Sequence, residues 1–362
     1  MRGKFPAGRC GVSAAPAVAK GAVEMAVRVH LVAMLVAAGL MLGGCARQSP
    51  QPSAPGAGAG PVIGGLGKSI HPFWDQVEKG MRDAAEPRGI QVEFYVPTKE
   101  DARKQAEKIK SWVAVGVSGI LFAASDPETV GPAIRDAAAR RIPCVAMDTD
   151  APDSGRLAYV GTDNYEAGKV AGRVLGDLLK GRGKVCIATG SLTASNSLER
   201  IRGFREVLTK EYPGITVLPE VLVDNEDRAV AEQKAKAKIA AEPDLAAFFG
   251  VYALNGPACA NAVKSAGKQG KIRVVCFDTT AEHMNMLKSG MIDAAVGQRP
   301  YLMGKKGLEL VALIIEKGPE QALREMGAKD GSIDTGVDVV RREDVEKYRA
   351  RLKQLGIPVE GW

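Results

Sequence analysis

The amino-acid sequence predicts an α/β fold built as two similar, doubly wound, Rossmann-like lobes with parallel sheets. Three observations lead to it. Short β-rich runs alternate with helix-period stretches long enough to act as crossovers, the pattern of βαβ units. Several of those runs are apolar almost throughout, as strands covered on both faces must be. The part of the chain that carries this pattern, about 300 residues, is too long for one compact core and divides more naturally in two.

The elements follow in order. Strands are expected at Val62–Leu66, Gln91–Tyr95, Gly119–Phe122, Cys144–Met147 and Leu157–Val160, then at Lys184–Ala188, Ile215–Val223, Ala247–Gly250, Arg273–Phe277 and Ala294–Gly297. Between them, Phe73, Val77, Met81 and Ala84 fall on one helical stripe, and Ala102, Ala106, Ile109 and Val113 on another. Leu198, Ile201, Phe204 and Leu208 make a third, and Leu302 to Ile315 holds a long apolar pattern. Ligands of open parallel sheets bind outside the carboxyl ends of the strands, so the residues after each run matter most. In the first set these are Lys68 and His71-Pro72-Phe73-Trp74, then Ser125-Asp126-Pro127, Asp148-Thr149-Asp150 and Asp163-Asn164. In the second set they are Ser191 through Arg200, Asp224-Asn225, Tyr252 to Asn255, Asp278 and Gln298-Arg299. Hydrogen-bonding side chains thus stand at the mouth of nearly every strand, which fits a polyhydroxylated ligand held between two lobes.

Residues 1–44 read as a signal region, with Met25 as the expected start. Arg28 and His30 flank an apolar run from Leu31 to Leu42, shorter than the roughly 20 residues needed to span a bilayer. Leu42-Gly43-Gly44-Cys45 resembles the lipobox of bacterial lipoproteins, which implies lipidation of Cys45. Residues 45–60, rich in Pro, Gly, Ser and Ala, read as a flexible tether. The expectation is a body joined to a membrane by its lipid anchor alone, working in water in the periplasm or at the cell surface.

The formal charge of +7 overstates the body. Without 1–44, which carries Arg2, Lys4, Arg9, Lys20 and Arg28 against Glu24, 44 basic residues face 41 acidic ones. No dense Lys/Arg block is interleaved with aromatics, which argues against nucleic acid as a partner. Cys144, Cys186, Cys259 and Cys276 have no metal-ligand spacing, and three of them, Cys144, Cys186 and Cys276, sit in apolar runs as small buried hydrophobes would. His71 and His283 are the only histidines past the signal region, and no Gly-x-Ser-x-Gly elbow appears. Gly67-Lys68-Ser69 ends like a phosphate loop, but Val62 stands where that loop needs its first glycine. No cofactor, metal or catalysis is expected.

Two aromatics side by side at a strand-to-helix turn need a core or a flat apolar ligand face. With that turn as its first block, the chain from about Val62 to Val340 resembles the ribose/galactose type of periplasmic binding protein, the solute receptor of ABC importers. His71-Pro72-Phe73-Trp74 is similar to that family's aromatic turn, with histidine where ribose receptors have asparagine. Arg141 to Asp148 resembles a strand whose closing aspartate binds sugar hydroxyls. Gly161-Thr162-Asp163-Asn164 with Ala167-Gly168 resembles its hinge block. Asn196 to Phe204 resembles the helix that opens the second ligand face. Val275 to Asp278 and Ala295 to Gln298 resemble strands ending in a ligand aspartate and glutamine. Two departures argue against assuming ribose: Leu198 stands where ribose receptors carry a ligand arginine, and Tyr252-Ala253-Leu254-Asn255 replaces an Asn-Asp pair.

The resemblance implies three crossings between lobes, near Thr162, Arg299 and Thr335, forming a hinge that closes on ligand. It implies ligand roles for His71, Phe73, Trp74, Asp148, Asp150, Asn196, Arg200, Tyr252, Asn255, Asp278 and Gln298. Each has an ordinary alternative. Phe73 lies on the helix stripe and Trp74 one residue off it, so either could anchor the helix. Asp148 and Asp278 could cap the next helix. Arg200 could pair Glu199 or Glu206, His71 could serve only its turn, and Lys68 reads as solvated. The function expected is a monomeric extracytoplasmic lipoprotein that delivers a monosaccharide or polyol to a membrane permease of an ABC importer. Its lobes would be 61–162 with 299–334 and 163–298 with 335–362. The same ligand chemistry would serve a receptor for a membrane sensor recognising a sugar, polyol or furanosyl signal.

Overall fold

A computed structural model describes residues 60–359 and Gly361. The signal region, Cys45 and the tether through residue 59 lie outside the described residues.

The first half runs β1 (Val62–Leu66), α1 (Pro72–Ala85), β2 (Gln91–Tyr95), α2 (Ala102–Val115), β3 (Gly119–Phe122), α3 (Pro127–Ala139), β4 (Cys144–Met147) and β5 (Ala158–Gly161). The second runs α4 (Asn164–Leu178), β6 (Gly183–Thr189), α5 (Ser195–Glu211), β7 (Ile215–Val223), α6 (Arg228–Ala241), β8 (Leu245–Gly250), α7 (Asn255–Ser265), β9 (Arg273–Phe277), α8 (Ala281–Lys288) and β10 (Ala294–Gly297). The chain ends with α9 (Pro300–Lys317), α10 (Pro319–Glu325), β11 (Ser332–Asp334), β12 (Asp338–Val340) and α11 (Val345–Gln354). Local chemistry starts the helices: the side chains of Asp101, Asp126, Asp163 and Asp227 accept from backbone N–H groups of the first turn, and Pro72, Pro127 and Pro300 sit inside it.

The strands form two sheets, ordered β2-β1-β3-β4-β5-β11 and β7-β6-β8-β9-β10-β12. Both follow one doubly wound order, so each strand of the first has a counterpart in the second. All pairings are parallel except β10 with β12. The chain is thus an α/β protein of two parallel-sheet lobes. The sequence did not show β11 and β12: three residues are too few for a periodic signal.

The chain passes from one sheet to the other after β5, after β10 and between β11 and β12. The helices that follow the first two passages dock on a neighbouring helix of their new lobe: α4 on α5, and α9 on α1. Both docks are glycine-tight. A Cβ on Gly203 would lie 2.0 Å from the Tyr165 carbonyl oxygen, and one on Gly168 2.2 Å from that of Arg200. In the other lobe, a Cβ on Gly80 would meet Tyr301 O at 2.1 Å and one on Gly304 would meet Val77 O at 2.0 Å. The passages are tied by charge. Arg299 pairs with Asp338 at 3.0 Å and donates to Thr335 O at 3.1 Å, and Arg351 on α11 donates to Asp338 at 3.0 Å. Burial alone would raise the Asp338 carboxyl, but Arg351 and Arg299 hold it down at about 2.

Two outcomes follow. Gly203→Ala should cost about 1–3 kcal/mol, as overpacking does, because backbone cannot yield as a side chain would; a urea melt reads it. Asp338 has a depressed pKa, so its contribution is present above pH ~4 and lost as pH falls toward 2. Melting temperature should therefore drop more steeply from pH 4 to pH 2.5 in the parent than in Asp338→Asn.

Candidate functional site

A cavity of about 580 Å³ lies where the carboxyl ends of the two sheets converge. One wall comes from the loop after β1, the start of α1 and the loops after β2 and β4. The other comes from α5 and the loops after β7, β8, β9 and β10.

Its centre is built from matched positions. Asp148 ends the fourth strand of one lobe and Asp278 the fourth strand of the other. Both have left-handed backbone, φ 57° and 71°. A non-glycine residue rarely sits there, though aspartate does so more easily than most. The tight turn lifts each carboxylate off its strand end into the cleft. Asp148 N donates to Val160 O at 3.4 Å and Asp278 N to Val296 O at 3.1 Å, so both turns are anchored on the neighbouring strand. Neither side chain caps a helix. Asp148 accepts from Thr149 Oγ1 at 2.8 Å, and Asp278 from Gln298 Nε2 at 2.9 Å. Burial raises the Asp148 carboxyl, with Lys68 and Arg200 opposing. Gln298 Oε1 accepts from Thr162 Oγ1 at 3.1 Å, so the ends of β5 and β10 join through one glutamine.

Arg200 is 1% exposed. Its Nε donates to Asn164 Oδ1 and its Nη1 to Val251 O, both at 2.9 Å, and its guanidinium carbon sits 4.0 Å above the Phe277 ring centre. Its Nη2 has no hydrogen-bond partner among the described residues. Glu199 and Glu206, the helix-surface alternatives, pair instead with Arg202 and Lys210. A buried donor on a cleft wall with nothing to bond is costly unless a ligand oxygen meets it.

The aromatic turn divides its work. Trp74 is 5% exposed and packs with Val77, Met81 and Ala84 in the core, while Phe73 is half-buried. The buried stripe of α1 therefore starts at Trp74, one residue later than the sequence pattern suggests. Both rings still line the cavity, edge to face at 5.0 Å. His71 caps α1 by accepting from Phe73 N at 3.2 Å through Nδ1, and burial lowers its pKa. The neutral ring then carries its proton on Nε2.

Of the residues singled out in the sequence, His71, Phe73, Trp74, Asp148, Asn196 and Arg200 line the cavity, as do Tyr252, Asp278 and Gln298. Asp150 and Asn255 do not. Asp150 is held bidentate by Arg156, and its carbonyl accepts from Ser195 Oγ at 2.9 Å. Asn255 is fully buried behind the wall, donating to Asp224 Oδ2 at 2.6 Å and accepting from Tyr252 N at 2.7 Å. Lys68, expected in solvent, is 5% exposed and pairs with Glu100 at 3.0 Å. Glu100, Asp224 and Glu226 also line the cavity and were not selected from sequence. Of these, only Asp224 carried a signal, its place just after a strand. The four cysteines of the body are free and buried. Among the described residues no three His, Cys, Asp or Glu side chains are grouped to hold a metal ion.

Residues 66–319 match the family model described as periplasmic binding protein domain. The chain is 26% identical to the ribose import binding protein of Bacillus subtilis over 273 residues, covering 74% of this chain and 87% of that one. Two solved structures share the fold. A glucose-galactose binding protein from Geobacillus stearothermophilus has TM-score 0.73 and 33% identity, over 78% of this chain and 98% of that one. An ABC transporter solute binding protein from Burkholderia graminis, in complex with D-arabinose, has TM-score 0.74 and 30% identity, over 80% and 97%.

Replacing Arg200 by lysine keeps the charge but cannot reach Asn164 and Val251 together. Arg200→Lys should lose about 1–3 kcal/mol of stability without any ligand, measured by urea denaturation; an unchanged midpoint would contradict the role given to the fork.

Proposed function

The chain belongs to the family described as periplasmic binding protein domain, and from that membership we propose that it is an extracytoplasmic sugar-binding lipoprotein. It captures a monosaccharide or polyol, closes its lobes over it, and presents the closed form to the membrane permease of an ABC importer. It acts as a monomer, performs no chemistry, and is held at the membrane by lipid on Cys45. The moving bodies are 61–162 with 299–334 and 163–298 with 335–362, and the three chain passages between the sheets are the hinge.

The observation that carries this reading is the facing pair Asp148 and Asp278, one from each lobe, with the unpaired Nη2 of Arg200 beside them. Vicinal hydroxyls donate to carboxylates and accept from a guanidinium, so one ring can satisfy both walls. Phe73 offers the half-buried ring face that the C–H side of such a ligand covers. Gln298 ties the hinge to Asp278 and so feels both ligand and closure.

A thermal-shift screen against pentoses, hexoses and polyols tests it. A ligand at 100 times its dissociation constant adds about 2.7 kcal/mol of stability. Each charge-assisted bond is worth about 1.5–3 kcal/mol, so Asp148→Ala and Asp278→Ala should each weaken binding by at least about tenfold. No shift with any carbohydrate at millimolar concentration would overturn the reading.

A further inference from the structure

A second cluster joins the two walls of the cleft. Lys68, after β1, pairs with Glu100, after β2, at 3.0 Å, and its ammonium lies 5.2 Å from the centre of the Tyr252 ring on the opposite wall. Glu100 in turn meets Glu226, from the loop after β7 on that opposite wall, carboxyl to carboxyl. The loop that presents Glu226 is strained: Asn225 and Glu226 have φ 54° and 58°, two successive non-glycine residues in left-handed backbone. The Glu226 side chain is pinned over Gly190 beside Tyr252, where a Cβ on the glycine would meet Glu226 Cγ at 2.8 Å and Tyr252 Cδ2 at 2.7 Å. Nothing in holding a sugar ring between Asp148 and Asp278 requires these contacts.

We propose that Glu100 and Glu226 share one proton across the cleft beside Lys68, forming a clasp that favours the closed lobes and makes their opening sensitive to pH. The proposal rests on the closure of two lobes argued above and concerns its regulation. Two carboxyl groups that touch in a desolvated place cannot both ionise cheaply. The groups facing the pair are Lys68 from the loop after β1, Asp224 from the Glu226 loop itself, and Tyr252 from the loop after β8. Asp148 lies behind Lys68, and Lys99 and Asp227 line the same cavity. Burial, with the Glu100 charge adding to it, pushes Glu226 up to about 8 against the pull of Lys68. Burial would also raise Glu100, but Lys68, Glu226 and Ser125 together hold that carboxyl down. Burial would lower the Lys68 ammonium, yet Tyr252, Glu100, Asp148 and Glu226 together keep it above the usual lysine range.

The sign follows from the raised group. In open lobes Glu226 returns to water and to a pKa of about 4.3. Between that value and about 8, closing takes up a proton, so the clasp is strongest at the acid end of the window and fades as pH rises through 8.

Small-angle scattering of the protein without sugar, at pH 6 and pH 9, tests this. The parent should expand at pH 9. Glu226→Gln, whose amide donates to Glu100 without titrating, should stay compact at both. A parent that does not change with pH, or a Glu226→Gln that expands with it, overturns the clasp. Should Glu226→Gln fail to fold by circular dichroism, Glu226→Ala, which cannot titrate either, takes its place, with one size expected at both pH values. Titration with D-ribose, D-arabinose and D-galactose gives a second arm. The dissociation constant of a sugar that binds should rise several-fold per pH unit from 6 to 8 in the parent, and much less in Glu226→Gln. Equal pH dependence in the two proteins counts against the clasp. If no sugar binds, the proposed function fails, and the scattering still decides the clasp.

Discussion

The cleft depends on one desolvated cation. The Arg200 guanidinium has almost no contact with water, so every N–H it carries must find an acceptor in protein or ligand. The chain supplies two, Asn164 Oδ1 and Val251 O, and both are placed by other constraints. Asn164 opens α4 at the first passage between sheets and also donates to the Tyr159 hydroxyl at 3.2 Å. Tyr159 then donates toward the carbonyls of Asp148 and Thr162, each at 2.9 Å. A single network therefore runs from the second lobe's guanidinium, through the first passage, to the turn that aims the first lobe's carboxylate. The backbone of Arg200 is fixed as tightly, since its carbonyl presses on Gly168. Moving α5 against α4 would move the guanidinium, and with it the Nη2 edge that has no partner among the described residues.

The two lobes solve the same problem twice. Parallel strands must return through helices, so the carboxyl ends of the parallel strands in a sheet face one way, and two such sheets set end to end leave polar loops facing one another. What the repeat adds is placement. The fourth strand of each lobe ends in an aspartate with left-handed backbone, and the helices after the first two passages dock through paired glycines. Equivalent backbone strain at equivalent positions is hard to account for by packing alone, since each core would close without it. Both turns aim a carboxylate into the cleft between the lobes.

Much of this was legible in the sequence, because the signals were periodic or came at strand ends. Ten strands of four or more residues announced themselves as apolar runs, and the residues after them gave Asp148, Asp278, Gln298 and Tyr252. Trp74 was misread for a geometric reason: Trp74, Val77 and Met81 share a face at helical spacing as well as Phe73, Val77 and Met81 do, and only the position of the sheet decides between them. Lys68, Glu100 and Glu226 were illegible for another. They come from three loops, no spacing links them, and a charged residue in a loop is ordinarily solvated. Their burial is a product of two lobes meeting, which no stretch of either lobe encodes by itself. Asp150 failed in the opposite direction, since its partner Arg156 lies just downstream and the pair could have been weighed as an ion pair from the start.

The balance of charge in the cleft bears on what it can hold. Lys68 answers Glu100, and Arg200 stands against Asp148 and Asp278, while burial pushes Asp224 up to about 6 and Glu226 up to about 8. The interior therefore presents many strong donors and acceptors, with carboxyl groups outnumbering cations. A charged ligand would have to leave water without a full counter-charge and would carry that desolvation cost into the complex. A neutral ligand rich in hydroxyls loses only hydrogen bonds that the walls return, and it can be released at modest cost for the same reason. Polar groups of the walls also bond to one another, as Gln298 does to Asp278. Affinity for such a ligand would be set by how much better it satisfies the walls than they satisfy themselves.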